Sequence, residues 1–257
     1  MKTISLNPET IIWDSGVDMT LTLDVINREL LPKGTIIKLD RLFFEKFQDK
    51  NFIRVCQEKG YPVFVDAKII DEPEKALGIA ATYLQYRPFM LSIMADSFST
   101  GIWDSKKLTY EQDTLKLFAE ACANVNCKSC AVMVLPSKTA QACWNAYGTE
   151  PLLQMHEYAT LAVSAGITGV MCSVFEAEDL KSDEIFARLE VNVTGVMMPE
   201  NIESVSDEEV CDRLATPAEA MSVGADRLII GDDLTRGDIK KNYAKIAQHI
   251  LDSIVAA

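Results

Sequence analysis

An α/β fold, a closed (β/α)8 barrel of the TIM type built as one domain from residues 1–257, is what this sequence predicts, on three observations. Apolar runs of strand length alternate with segments of helical periodicity, and eight such runs occur along the chain. The runs are continuous in Val, Ile, Leu and Met, as in parallel strands covered on both faces. The length, 257 residues, suits a barrel of this kind, which typically takes about 250. A doubly wound open sheet is the competing architecture, but no glycine-rich turn follows the first strand.

Taken in order, Ile11-Ile12-Trp13 is a short apolar run ending in Asp14, and residues 19–31 follow at helical spacing. After the Pro32/Gly34 turn, residues 35–40 form the second strand and residues 43–56 an amphipathic helix. Residues 63–70 make the third strand, with a helix beginning at Pro73, where proline suits a first turn. Strands are expected at 90–94, 131–135, 169–172, 191–198 and 227–230. Between and after them, helices are expected at 108–123, 152–165, 177–189, 217–223 and 239–255. No Pro/Gly/Ser-rich linker divides the series.

Charge and composition narrow the partners. The net charge of −13 argues against a nucleic-acid backbone or an anionic membrane surface as partner. The first residues lack the apolar core of a signal peptide, and no apolar run approaches the roughly 20 residues of a membrane helix. A cytoplasmic protein acting on a small molecule is therefore expected, and the odd count of seven cysteines suits free thiols in a reducing compartment.

The stretch Val63-Phe64-Val65-Asp66-Ala67-Lys68-Ile69-Ile70-Asp71-Glu72-Pro73 carries the strongest chemical signal. An apolar strand that sets Asp66, Lys68 and Asp71 within six residues places charge where burial is expensive. Residues two apart share a strand face, so Asp66 and Lys68 point together toward the strand's carboxyl end, with Asp71 just beyond it. Lys38 and Asp14 end two other strands, and barrels keep their chemistry at that end. An ion-pair network that only ties strand ends together is the structural alternative.

Other candidates are weaker. Cys127 and Cys130 form a lone CxxC without the further ligands zinc requires, so unreactive thiols are expected. The two histidines, His156 and His249, fall within helices, which disfavours triads and histidine-rich metal sites. Gly231 follows the last strand, where barrels commonly bind phosphate, but Asp232 and Asp233 come next and Arg236 is the cation of that loop.

These residues resemble the orotidine 5′-phosphate decarboxylase family. The likeness rests on Asp66-x-Lys68-x-x-Asp71 with Pro73 at the third strand and on Lys38 at the second. Together they match that family's Lys/Asp/Lys/Asp catalytic array. The resemblance implies that Asp14 contacts a ribose, that Ser137 contacts a pyrimidine, and that Asp71 enters the neighbouring subunit's site in a homodimer. It also implies decarboxylation of a pyrimidine nucleotide in pyrimidine biosynthesis, without cofactor or metal. Related phosphosugar enzymes carry the same Asp-x-Lys-x-x-Asp element with magnesium and an acidic group on the second strand; Lys38 favours the metal-free enzyme, while Asp40 keeps the other in view.

The chain departs from the family pattern at its phosphate end. Glu72 and Lys75 stand where the family has isoleucine and threonine, and Gly231-Asp232 replaces a glycine-arginine pair. Met197-Met198-Pro199-Glu200-Asn201 replaces a glycine-rich turn. Lys75 or Arg236 would then have to hold a phosphate, or the substrate differs. An aldolase using Lys68 as a Schiff-base nucleophile is a second reading, but flanking carboxylates favour the ammonium over the free amine. A non-catalytic binding barrel is the third.

Overall fold

The computed structural model describes residues 5–96, 105–134, 140–205 and 214–256. Eight strands run β1 (Ile11–Asp14), β2 (Ile36–Asp40), β3 (Val63–Ile69), β4 (Met90–Met94), β5 (Lys128–Val132), β6 (Gly169–Cys172), β7 (Glu190–Val193) and β8 (Arg227–Ile230). Each pairs in parallel with the next and β8 pairs with β1, which closes the barrel. Alternation along the strands divides the core in two. Ile12, Ile36, Phe64, Met90, Met171 and Ile229 pack as one cluster inside the barrel. Their neighbours Ile11, Trp13, Ile37, Val65, Val170 and Leu228 face the helices in a second, larger cluster. Burying each such side chain contributes roughly 1.5–3 kcal/mol.

The helices are α1 (Met19–Asn27), α2 (Arg41–Phe47), α3 (Phe52–Glu58), α4 (Pro73–Leu84), α5 (Ser105–Ala123), α6 (Ala140–Tyr147), α7 (Pro151–Ala165), α8 (Val174–Ser182), α9 (Pro199–Ile202), α10 (Pro217–Ser222), α11 (Asp232–Thr235) and α12 (Ile239–Ala256). Five turns from a helix to its next strand close in the same way: the amides of Leu30, Tyr61, Cys127, Ile167 and Ala225 each reach the carbonyl five residues back. The residue before each donor, Glu29, Gly60, Asn126, Gly166 or Gly224, has positive φ, as the Schellman cap requires. No described helix is long and apolar enough to cross a membrane.

Several expected boundaries shift. The single helix expected over 43–56 is two, because Gln48 turns left-handed at φ 52° and Asp49 caps the amide of Asn51. The helix expected to reach residue 31 stops at Asn27, before Glu29 at φ 49°. That expected over 177–189 begins at Val174, where Ser173 and Glu176 form a capping box, and ends at Ser182. β5 begins at Lys128, not residue 131, and β7 covers Glu190–Val193, ending ahead of a turn at Gly195. The helices α6, α9 and α11 are additional to those expected.

At the amino-terminal end, the first residues of β5, β7 and β8 form one ionic group. Glu190 pairs with Lys128 and, at 3.0 Å, with Arg227, whose guanidinium lies 5.3 Å from the Phe89 ring centroid. A Cβ at Gly169 would come 2.8 Å from the Glu190 carbonyl oxygen, so only glycine fits there. At the seam between β1 and β8, the Trp13 indole donates to Thr235 Oγ1 at 3.3 Å, tying the first strand to α11.

Candidate active site

Four neighbouring strands deliver the charged residues to the carboxyl end of the barrel. Asp14 ends β1 and lies in register with Lys38 of β2. Asp66 and Lys68 come from β3, and Ser92 from β4. Lys38 Nζ lies 2.9 Å from Asp14 Oδ2 and 3.2 Å from Asp66 Oδ2, and Lys68 Nζ pairs with the same Asp66 oxygen. The other oxygen, Asp66 Oδ1, accepts a 2.8 Å hydrogen bond from the Ser92 hydroxyl. One buried carboxylate thus holds two ammonium groups.

Burial is graded across the cluster. The side chain of Asp66 is 1% exposed and that of Lys38 7%, whereas Lys68 is 35% and Asp14 33% exposed. Lys68 and Asp14 are therefore the groups a ligand can reach. Two cations against two anions leave the cluster neutral, which is how ionised groups survive burial. Burial would raise the Asp66 pKa, but the attraction of Lys38 and Lys68 outweighs it and holds the carboxyl below its usual range. Burial would likewise lower the Lys38 pKa, but Asp66 and Asp14 outweigh it and hold the ammonium above its usual range.

Asp66 and Lys68 do not meet by plain strand alternation. The pairing of β3 with β4 shifts register between Val65 and Ile69, and Lys68 sits at φ 44°, a left-handed conformation that is costly for a side chain of this size. Its amide is held by Ser92 Oγ at 2.9 Å. The bulge turns the ammonium back onto Asp66, and Ser92 fixes both the bulge and the carboxylate. Ser92 is missing from the sequence-level candidates, although a serine inside Met90-Leu91-Ser92-Ile93-Met94 signals a buried hydroxyl in need of a partner.

Other candidates stand elsewhere. Asp71 is 34% exposed, caps the amide of Glu72 at 2.8 Å and lies 3.8 Å from Lys75, apart from the Asp66 cluster of its own chain. Lys75 is exposed and pairs with Glu72 at 3.2 Å. Arg236 is exposed and pairs with Asp232 at 2.7 Å. Neither cation is free. Gly231 brings the end of β8 against Asp14: a Cβ there would lie 3.6 Å from Asp14 Cβ. Asp40 caps α2 by accepting from the Phe43 amide at 2.9 Å. Ser137 lies outside the described residues.

The remaining sequence candidates are structural in their surroundings. Cys127 and Cys130 are buried, and burial pushes the Cys130 thiol up, away from the reactive thiolate. His156 lies in α7, paired with Asp179 and edge-on to Phe186, and His249 lies in α12. Among the described residues, no group of three or more His, Cys, Asp or Glu side chains is placed to hold a metal ion.

Fold and site together define a parallel eight-stranded barrel with a neutral Asp/Lys network at its carboxyl-terminal mouth. Proteins named orotidine 5′-phosphate decarboxylase are similar to this chain over most of its length. That of Vibrio parahaemolyticus is 24% identical over 247 residues, covering 95% of each chain. That of Psychromonas ingrahamii is 25% identical over 252 residues, 97% of this chain and 98% of the relative. That of Escherichia coli K12 is 26% identical over 206 residues, 80% of this chain and 77% of the relative. No family model matches the chain. Among solved structures, the Lactobacillus acidophilus orotidine 5′-phosphate decarboxylase superposes with a TM-score of 0.70 at 19% identity, over 94% of this chain and 98% of that one. An uncharacterized conserved protein of Geobacillus kaustophilus superposes with a TM-score of 0.70 at 17% identity, over 93% and 99%. The chain is a divergent relative of proteins bearing the decarboxylase name, and its fold is theirs.

Proposed function

We propose that this chain is a cofactor-free carboxy-lyase that removes carbon dioxide from a 6-carboxypyrimidine riboside, the class to which orotidine 5′-phosphate, with uridine 5′-phosphate as product, belongs. The observation that carries the reading is the shared oxygen: Asp66 Oδ2 holds both Lys38 and Lys68 at the barrel mouth. The similarity of the whole chain to proteins of the decarboxylase name supports it.

In this reading the substrate displaces the partly exposed Lys68 ammonium from the Asp66 oxygen and sets its carboxylate against that buried side chain. Two carboxylates about 4 Å apart at an effective dielectric of ~20 repel by roughly 4 kcal/mol, about a thousandfold in rate if the strain is relieved as carbon dioxide leaves. The C–C bond breaks, its electron pair stays on the ring carbon, and the Lys68 ammonium stabilises that carbanion and then delivers its proton. Lys38 holds Asp66 ionised and in place, and Asp14 accepts from ribose hydroxyls. The proton is later recovered from water. Binding energy at groups remote from the reacting carbon must supply the remaining acceleration.

Asp71 stands apart from the Asp66 cluster of its own chain, which supports its use by a second subunit in a homodimer. Light scattering of the purified chain tests that assembly. The reaction is tested by incubating the chain with orotidine 5′-phosphate and with orotidine and measuring carbon dioxide release. Turnover that falls at least about a hundredfold in Lys68→Ala supports the reading. Release from neither compound overturns it, and trapping of a substrate on Lys68 by borohydride would favour an aldolase.

A further inference from the structure

We propose that Asp233 is a specificity-determining residue: its carboxylate fills the anion position at the end of β7 and β8, so the barrel takes a substrate whose remote end carries a hydroxyl in place of a phosphate. The inference rests on the decarboxylase reading and names the substrate class within it. Barrels of this architecture commonly bind phosphate through backbone amides of the loops after strands 7 and 8. Here one of those donors, the Met198 amide, already has an anion.

Asp233 follows β8 by three residues and is only 9% exposed. Its Oδ2 accepts from the backbone amide of Met198 in the loop after β7, and its Oδ1 accepts from Asn201 Nδ2 at 2.6 Å. Both oxygens of a buried carboxylate are thus satisfied by the opposite loop, one of them by main chain. This is the use a phosphate oxygen would make of the same donors. The carboxylate belongs to the fold, since it ties the two loops together.

Among the described residues, two cations near these loops are also engaged. Arg236 pairs with Asp232, and Lys245 pairs with Glu200 at the first turn of α9. A phosphate dianion brought to these loops would meet Asp233 and Asp232 first and would have to break an existing ion pair to gain a counter-charge. The location matters to the ligand, because Gly231 packs against Asp14 and Asp14 binds Lys38. The loop end of β8 therefore adjoins the reacting cluster. A riboside hydroxyl can donate to an acidic rim, whereas a phosphate monoester has only acceptors to offer it when fully ionised.

The test uses two arms on the full chain. Calorimetric titration compares orotidine with orotidine 5′-phosphate and uridine with uridine 5′-phosphate, in Lys68→Ala where turnover would interfere. Amide NMR follows Met198 and Gly231 during titration with inorganic phosphate and ribose 5-phosphate. The expected result is that each nucleoside binds at least as tightly as its phosphate, with both amides unmoved. An Asp233→Asn variant, which keeps an acceptor for Met198 but removes the charge, should shift the preference toward the phosphate by about tenfold or more. Tighter binding of the phosphates to the unsubstituted loop, with the Met198 amide shifting, overturns the inference and leaves the decarboxylase reading standing. If no pyrimidine compound binds, the decarboxylase reading fails, and the phosphate titration still decides: a shift at Met198 or Gly231 overturns the role of Asp233, and silence supports it.

Discussion

Ser92 ties two parts of the site with one hydroxyl: it donates to Asp66 Oδ1 at 2.8 Å and accepts from the Lys68 amide at 2.9 Å. The orientation of the carboxylate and the left-handed backbone at Lys68 therefore depend on the same side chain. Ser92→Ala leaves a buried carboxylate oxygen and a part-buried amide without this partner, a cost of about 1–3 kcal/mol. We expect turnover to fall about tenfold with KM little changed, and Ser92→Thr to recover part of it. A loss of stability in urea without any change in kcat would show that Ser92 serves packing alone.

Asp66→Asn tests the counter-ion. Lys38 would keep Asp14, but Lys68 and Lys38 would face a neutral amide from a position only 1% exposed. Removing one partner of a buried ion pair costs about 3–5 kcal/mol. Urea denaturation should show that loss together with the loss of decarboxylation.

The same pair sets a pH window. The Asp66 pKa is depressed below its usual 3.8, so its contribution to stability is complete above that value and lost as pH falls through the lower folded-state value. The Lys38 pKa is raised above its usual 10.5, so its contribution is complete below that value and lost as pH rises through the higher one. Between these limits the network should leave stability flat. The difference in unfolding free energy between the native chain and Asp66→Asn, measured across pH, should be constant near neutrality and shrink at the acid end.

The sequence displays the array because charges at the ends of apolar runs break a simple pattern. Asp14, Lys38, Asp66 and Lys68 could be named from strand position alone, and the barrel order follows from the alternation of runs. Gln48 could not be read as a break, because a left-handed residue inside a periodic stretch leaves no mark on hydrophobicity. The partners of Ser92 and Asp233 are hidden for another reason. Each residue owes its role to partners about 24 to 35 residues away, and such pairing is fixed by the closed sheet, not by local composition. Arg236 and Lys75 carried the right charge, but acids within four residues on the same short segments hold them.

Stability and chemistry should separate by barrel end. Glu190→Gln weakens the ionic group formed with Lys128 and Arg227 at the amino-terminal end and should cost about 1–3 kcal/mol. Turnover per folded molecule should be unchanged, since that end of a barrel serves stability. A matching fall in kcat would contradict the division.

The inner layer makes a last prediction. Phe64 is fully buried in the barrel cluster, two residues before Asp66 on the same face. Phe64→Ala should cost about 3–5 kcal/mol by urea denaturation. Because the resulting void lies directly beneath the Asp66 carboxylate, the loss of stability should be accompanied by slower turnover, unlike Glu190→Gln.

The indole of Trp13, wholly buried where the last strand meets the first and hydrogen-bonded to Thr235, makes the chain its own optical gauge. Trp144, in contrast, is 56% exposed, and replacing it and Trp103 by Phe leaves Trp13 as the reporter. Any event that unzips the β1–β8 junction or strips the helices packed over it must wet the Trp13 ring, so a red shift in its emission reports the loosening of that seam together with its helical cover.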